Sequence, residues 1–374
     1  MAQASPPEKT VRVMVATPGG PLGQGGIDRI MTSLKDELAR QNLAAVQAVF
    51  VPTRGNGSIA LSPVFLLLFC LRMVGARLLG RLDVVHVNLA SDGSTYRKLL
   101  VSLLARLLRI PYVLHLHGAE YMSFWSEQQS FLHRRIRSMF LHAARIIVLG
   151  RPWRDFVTAR VPGIDDRVAI LANATAQPVR PHIGGRDTVH VLFLGRIGER
   201  KGVPQLCDAL AALKDLTGWR ATLAGDGDVE GLRTRLDDLG LSDGVSAPGW
   251  QQAIDVERLL SEADILVLPS YAENLPVSVI EGMAEGLAIV ATPVGAVEDI
   301  IEHGRTGLLV PPGDVEALRT ALEQLICQPD LRQRLGNAAR ELHREKLDLR
   351  YYAQAMSLLW IEAGAKADLR DSIR

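Results

Sequence analysis

Short apolar runs alternate with longer amphipathic stretches along almost the whole chain. VRVMVAT at 11–17 ends in the glycine-rich PGGPLGQGG, and IDRIMTSLKDELARQ then repeats apolar residues at helical spacing. A strand, a glycine loop and a helix open an α/β unit. DVVHVNLA at 83–90, YVLHLHG at 112–118, RIIVLG at 145–150 and VAILAN at 168–173 have the length of buried strands, and helical patterns such as SFLHRRIRSMFLHAA separate them. That alternation predicts a parallel sheet covered by helices on both faces. QPVRPHIGGRDT at 177–188 is rich in proline and glycine and has no period, so it reads as a linker. A second series follows: VHVLFLG, a helix over about 203–216, WRATLAG, DILVLPS, LAIVAT and GLLVP. YYAQAMSLLWIEAG, with apolar residues three and four apart, closes the chain as a helix. The expected organisation is an α/β domain over 1–180, a second over 181–350, and a terminal helix over 351–374.

The run IALSPVFLLLFCL at 59–71 interrupts this pattern. Its 13 residues fall short of the ~20 that a bilayer span needs. Arg72, Arg77 and Arg81 follow it, so it reads either as a buried helix of the first domain or as an amphipathic helix lying on a membrane.

Composition adds little to the fold and something to the partners. The chain has 374 residues, 48% hydrophobic and 22% charged, which suits a globular protein of two domains. Cys70, Cys207 and Cys327 have no metal-ligand spacing, and such sparse usage fits a reducing compartment. MAQASPPEKT lacks a charged stretch followed by an apolar one, so no signal peptide is expected. The net charge of +1 hides an asymmetry: residues 1–180 carry +11 and residues 181–374 carry −10. A basic half suggests anionic lipid or nucleic acid. Nucleic acid is disfavoured, because aromatics make up only 5% of the chain and the arginines are not interleaved with them. A dinucleotide-dependent dehydrogenase is disfavoured too, since GGPLGQGGI lacks the compact G-x-G-x-x-G spacing.

Two stretches of the second half carry chemistry. In GRIGERKG at 195–202, a strand ends in a glycine turn and brings Arg196 and Lys201 to the C-terminal edge of the sheet, where open α/β sheets bind ligands. Two cations there suit a diphosphate. In ENLPVSVIE at 273–281, Pro276 is expected at the first helical position, the helix over 277–285, and Gly286 at its end. Glu273 then lies on the loop and Glu281 more than a turn inside the helix. The N–H groups of Asn274, Leu275 and the first turn form an anion site. A carboxylate accepts hydrogen bonds from two neighbouring hydroxyls, as acidic residues that grip a ribose do. Alone, Glu281 is an ordinary helix glutamate.

Together, GRIGERKG, AGDGDVEGL and ENLPVSVIEGMAEGLAIVATPVGAVEDIIEHGRTGLLVPPGD resemble the second domain of retaining GT-B glycosyltransferases of family 4 (glycosyltransferase group 1). The family's Glu-x7-Glu is Glu273 and Glu281. Its Pro-x-Gly-Gly-like loop is Pro293-Val294-Gly295-Ala296, with alanine where a second glycine is common, and it leads to Glu298. The resemblance covers most of 187–345. The first domain matches more loosely, through GGPLGQGGIDRI and LHLHG.

The resemblance implies a GT-B fold, two Rossmann-like domains facing each other across a cleft, with the terminal helix returning to the first. It implies that Arg196 and Lys201 bind the donor diphosphate and stabilise it as leaving group. Glu281 would hold the ribose, Glu273 would face the hexose, and the backbone of Asn274 and Leu275 would touch sugar and phosphate. Gly25 and Gly26 would let the first-domain loop approach the diphosphate, and His117 would stand beside the donor sugar. Catalytic roles thus fall to His117, Arg196, Lys201 and Glu273. His115 is read as turning to the other face of its strand, with a structural role. The implied reaction retains anomeric configuration through a front-face, ion-pair-like displacement in which the departing phosphate oxygen takes the acceptor proton. Neither a dedicated base nor a metal or other cofactor is expected.

VNLASDGSTYRKLLVSLLARLLRIP looks like a segment of bacterial exopolysaccharide enzymes of this family, including mannosyltransferases that act on lipid-linked glycans, with Asp92 where arginine is expected. It implies that Asn88, Ser94, Arg97 and Lys98 lie on the acceptor side. The favoured reading is transfer of mannose from GDP-mannose to a glycan or polyprenyl-diphosphate-linked oligosaccharide by a cytoplasmic enzyme peripheral on the inner membrane face. A UDP-sugar donor with another acceptor, or a non-catalytic sugar-nucleotide-binding protein, are the alternatives. Base contacts are expected from the backbone near 225–228 and 249–251.

Overall fold

The computed structural model describes residues 10–20, 23, 25–179, 182 and 188–372. Most of the expected linker over 177–188, and three positions of the first glycine loop, lie outside the described residues. The chain forms two compact units. Residues 1–172 and 349–374 make unit 1, and residues 173–348 make unit 2. The division falls at Ala172/Asn173 and Asp348/Leu349, and the terminal helix belongs to unit 1.

Unit 1 runs β1 (Val11–Thr17), α1 (Gly26–Gln41), β2 (Val46–Pro52), α2 (Ser62–Leu78), β3 (Val84–Leu89), α3 (Gly93–Leu107), β4 (Tyr112–Leu116), α4 (Tyr121–Ser126), α5 (Ser130–Leu141), β5 (Arg145–Val148), α6 (Arg151–Arg160) and β6 (Val168–Ile170). The six strands are parallel in the order β2-β1-β3-β4-β5-β6. Every residue of β3 and β4 is buried, as central strands covered on both faces require.

Unit 2 runs β7 (Val189–Leu194), α7 (Val203–Ala211), β8 (Trp219–Ala224), α8 (Val229–Asp238), β9 (Val245–Gly249), α9 (Ala253–Glu262), β10 (Ile265–Leu268), α10 (Val277–Glu285), β11 (Ala288–Ala291), β12 (Leu308–Leu309), α11 (Val315–Cys327) and α12 (Pro329–Leu342). Its parallel order is β12-β11-β10-β7-β8-β9. The chain then returns to unit 1, where α13 (Leu349–Ser372) packs on α1 and the first strands. Trp360, Tyr352 and Met356 of α13 are fully buried there.

Two expectations are corrected here. The helix begun at Ile59 does not stop before Arg72. A 3-10 turn at Ile59–Leu61 runs into α2, giving 20 continuous residues of mean hydropathy 2.1. By length and composition alone this stretch is long enough to cross a membrane. It is also no core helix, since only 17% of its apolar window is buried. Arginines at 72 and 77 do not end a helix, because their long side chains leave the backbone ladder intact and reach outward. Pro276 is the N-cap of α10, at φ −72 and ψ 125, rather than its first helical residue.

Candidate functional site

In unit 2 the strand order reverses beside β7, so the loops after β7 and β10 flank the crevice where doubly wound sheets take ligands. The loop after β7 carries Lys201 and the loop after β10 carries Glu273. Lys201 Nζ donates to Glu273 Oε1, and the two side chains are only 13% and 9% exposed. Three further features fix this pairing. Tyr271 N donates to Arg200 O at 2.9 Å. Arg200 Nη1 donates to Ala272 O at 2.8 Å. Gly202, at φ +68, lies so close to Pro269 that a Cβ would stand 2.0 Å from its carbonyl oxygen.

Arg196 sits apart from this pair. It is exposed and bridges to Asp226 at 3.2 Å, on the loop after β8. Ile197 N donates to Asp226 O at 2.6 Å, which staples the two loops together.

The stretch from Glu273 to α10 is held from both sides. Ala296 N donates to Asn274 O at 2.7 Å, and Asn173 Nδ2 donates to Leu275 O at 2.8 Å. Gly295, at φ +60, leaves room that no other residue would, since a Cβ there would lie 2.1 Å from Glu273 O. Glu273, Asn274 and Leu275 are all buried. Helix α10 spans Val277–Glu285 and ends at Gly286 in the left-handed conformation, as expected. Among the described residues no side chain caps its N-terminus, so first-turn N–H groups and the positive end of the helix dipole are available to an anion. Half-buried Glu281 lies one turn further along, about 6 Å down the axis. Cation, uncapped helix and carboxylate therefore line one edge.

In unit 1 the order reverses between β1 and β3. Gly25 caps α1 and Gly26 begins it. A Cβ at either would meet nothing within 4 Å among the described residues, so no contact with them demands glycine there. Asp28 accepts from Gly19 N and Gly20 N at 3.0 Å, while burial pushes its carboxyl pKa up. Lys98, fully buried on α3, donates to Thr53 Oγ1 at 2.6 Å. Burial and Arg97 push its ammonium pKa down to about 7. The neighbouring Arg97 is half-buried and its Nε has no partner among the described residues. Burial and Arg54 lower its pKa. Ser94 Oγ accepts from Ala90 N at 3.2 Å. Arg54, Arg97 and Lys98 thus form a cationic group whose neighbouring carboxylate, Asp28, is already engaged by backbone.

Asn88, read as an acceptor-side residue, is fully buried and contacts His117: its Oδ1 is 2.8 Å from His117 Nε2. His115 does not turn to the other face. Residues two apart share a face of a strand, and the His115 and His117 rings stand 3.9 Å apart. Among the described residues neither ring nitrogen of His115 has a hydrogen-bond partner. Burial pushes the pKa of His117 down to about 3, so it is neutral. Sequence reasoning missed Asn173 in unit 2 and Thr53 and Arg54 in unit 1, and it gave no role to the side chains of Arg200 and Asp226, although both lie inside the quoted GRIGERKG and AGDGDVEGL. Their contacts reach across loops or to backbone, which local spacing does not reveal. Among the described residues no group of three or more His, Cys, Asp or Glu is placed to hold a metal ion.

The family model described as Glycosyl transferases group 1 matches residues 184–342, and that described as Glycosyl transferase 4-like domain matches residues 7–174. The chain belongs to the GT4-type glycosyltransferases. Among curated proteins it is 28% identical to an alpha-D-kanosaminyltransferase of Streptomyces kanamyceticus, over 78% of this chain and 79% of that one. It is 30% identical to the amylovoran biosynthesis glycosyltransferase AmsK of Erwinia amylovora, over 57% of this chain and about half (51%) of that one. Among solved structures, a sucrose-phosphate synthase from Thermosynechococcus elongatus superposes with TM-score 0.75 at 20% identity, covering 95% of this glycosyltransferase and 100% of that chain. HepE of Anabaena, in complex with UDP and glucose, gives 0.71 at 18% identity, covering 93% and 98%. The fold is GT-B: two Rossmann-like units, each with a six-stranded parallel sheet.

Proposed function

We propose that this glycosyltransferase moves a hexose, with retention of configuration, from a nucleotide sugar to a lipid-linked glycan in cell-surface polysaccharide synthesis, with GDP-mannose as donor. The Lys201–Glu273 pair beside the uncapped start of α10 carries the donor half of this reading. The bond from the sugar's anomeric carbon to the diphosphate breaks, and its electron pair goes to the phosphate oxygen. Lys201 and Arg196 neutralise the charge that builds there. The acceptor hydroxyl oxygen forms the new bond, and its proton passes to the departing phosphate. Glu281 holds the ribose, and Glu273 meets the hexose while orienting Lys201. His117 serves the reacting sugar.

A titration against GDP- and UDP-sugars without added metal tests the donor. Tight binding of GDP-mannose supports the full reading. Preference for a UDP-sugar replaces the donor and keeps the site, and no binding to any of them overturns both. Glu281→Ala is expected to weaken nucleotide binding about 10- to 100-fold, the worth of a hydrogen bond to a charged group. Unchanged affinity by calorimetry would remove Glu281 from the ribose site.

For the acceptor, the cations Arg54, Arg97 and Lys98 suit the diphosphate of a polyprenyl carrier, and the surface nearby suits a membrane. Leu67, Leu68, Leu71 and Leu78 of α2 are exposed, as are Tyr96, Leu100, Leu103 and Leu107, spaced three and four apart on α3. Arg77 Nε donates to Leu108 O at 3.2 Å and joins the two helices. No acidic residue occurs from 93 to 119, which holds Arg97, Lys98, Arg106 and Arg109. An apolar face with a cationic rim fits a helix lying in the headgroup region, and we place the enzyme peripherally on the inner face of the cell membrane. Binding to phosphatidylglycerol vesicles is expected to fall as salt rises. The pair Leu67→Asp and Leu71→Asp should reduce it by roughly 100-fold, the apolar burial of two leucines, with no loss of melting temperature. Binding insensitive to salt and to both changes would exclude this face.

A further inference from the structure

A chain of four side chains runs from the terminal helix to His117, all within unit 1. Trp360 Nε1 donates to His86 Nδ1 at 3.0 Å. An indole N–H only donates, so His86 Nδ1 carries the lone pair and the ring proton of His86 sits on Nε2. That nitrogen lies 3.3 Å from Asn88 Oδ1. The Asn88 amide cannot be reversed without loss, because its Nδ2 donates to Ala16 O at 3.2 Å. Its Oδ1 therefore faces both histidines and only accepts. His117 Nε2, 2.8 Å from the same oxygen, must be the protonated nitrogen.

The His117 backbone is fixed as well, since its N–H donates to Leu89 O at 2.8 Å. Its Nδ1, left with the lone pair, has no partner among the described residues. His115 fills the space between, 5.3 Å from the His86 ring and 3.9 Å from the His117 ring. Burial keeps the whole group uncharged, with His86 pushed down to about 4. Trp360 and His86 are themselves fully buried, so the chain has one accessible end, at His117.

We infer that Trp360, His86 and Asn88 are positioning residues that fix the tautomer and ring orientation of His117, so that its Nδ1 accepts a hydrogen bond from a hydroxyl of the substrate. An sp² lone pair at that point selects a hydroxyl donor and disfavours phosphate or carboxylate oxygens. This inference rests on the reading above in which His117 serves the reacting sugar. It adds that the terminal helix, through Trp360, takes part in setting the chemistry.

The test is nitrogen-15 NMR of the histidine rings in the full-length protein, alongside steady-state kinetics with whichever nucleotide sugar binds. The wild-type His117 should show a protonated Nε2 and an unprotonated Nδ1. Trp360→Phe removes the N–H and keeps an aromatic ring. It should release His86 to mixed tautomers, shift the His117 nitrogens, and lower kcat about 10-fold, the lower end of what orienting partners of histidine contribute, with donor KM within about two-fold. Asn88→Asp is the second variant, should Trp360→Phe unfold. The carboxylate still accepts, but it stabilises a charged imidazole. The pH profile should gain an acid limb, with His117 becoming charged and activity falling as pH drops. His117 nitrogens unchanged in both variants, or shifted with kcat unaltered, would overturn the positioning role. Failure of the donor reading shows separately, as wild-type protein that turns over no nucleotide sugar while its His117 tautomer is still read by NMR.

Discussion

Lys201→Ala is expected to lower turnover by roughly 100- to 1000-fold, the scale of losing one preorganised donor to a developing negative charge. The same change should destabilise the fold. Its partner Glu273 is 9% exposed at the side chain, and a buried carboxylate stripped of its cation costs about 3–5 kcal/mol. These two effects separate in a double variant. Lys201→Met with Glu273→Met replaces a buried pair by apolar groups of similar length, which is often neutral or stabilising. It should recover the melting temperature lost in Lys201→Ala and none of the activity. Single-turnover rates and thermal unfolding decide the matter. A Lys201→Ala enzyme within a few-fold of wild type would mean that the pair is structural and that Arg196 alone meets the leaving group.

Gly295→Ala carries the second large effect, and it acts without touching a charged group. Its φ of +60 is a conformation that side chains rarely adopt, and a Cβ would come within 2.1 Å of Glu273 O and 2.5 Å of Asn274 O. Both oxygens belong to backbone that other contacts hold, so one loop must move. The expected result is a loss of about 2–4 kcal/mol of stability, in the range of strain and overpacking combined. Donor affinity should fall by more than about 10-fold, since Glu273 and the start of α10 move with that backbone. Ala296→Gly, one residue on, is the control. It restores the more common glycine pair and should cost about 1 kcal/mol or less in stability while leaving the titration curve in place. Equal behaviour of the two variants would show that the loop has slack.

The central strands were legible because both faces are buried, which leaves an unbroken apolar run. The edges were not. β2 alternates half-buried with exposed positions, and β9 is interrupted by Pro248; neither carries such a run. The extent of α2 was misjudged because Arg72 looked like a boundary, although a charged side chain breaks no backbone hydrogen bond. At the site, Arg196, Lys201, Glu273 and Glu281 were readable as local motifs next to strand ends. The pairing of Lys201 with Glu273 was not, since 72 residues separate them. The partners of His117 were further from view. Asn88 is 29 positions away, and His86 meets a tryptophan 274 positions later. His115 was placed on the wrong face because a two-residue step along a strand returns to the same side.

The return of α13 to unit 1 also has a consequence for biosynthesis. Unit 2 is contiguous, and every residue it needs has been made by Asp348. The sheet of unit 1 has all its strands by Ile170, yet the surface that takes Tyr352, Met356 and Trp360 waits until the last helix is made. At roughly 5–20 residues per second, that wait lasts on the order of ten seconds or more on the ribosome. During it, the apolar face of the nascent sheet and the ring of His86 lie open to water and to chaperones. Stalled or truncated chains should therefore be recovered with a protease-resistant second half attached to a cleavable first one.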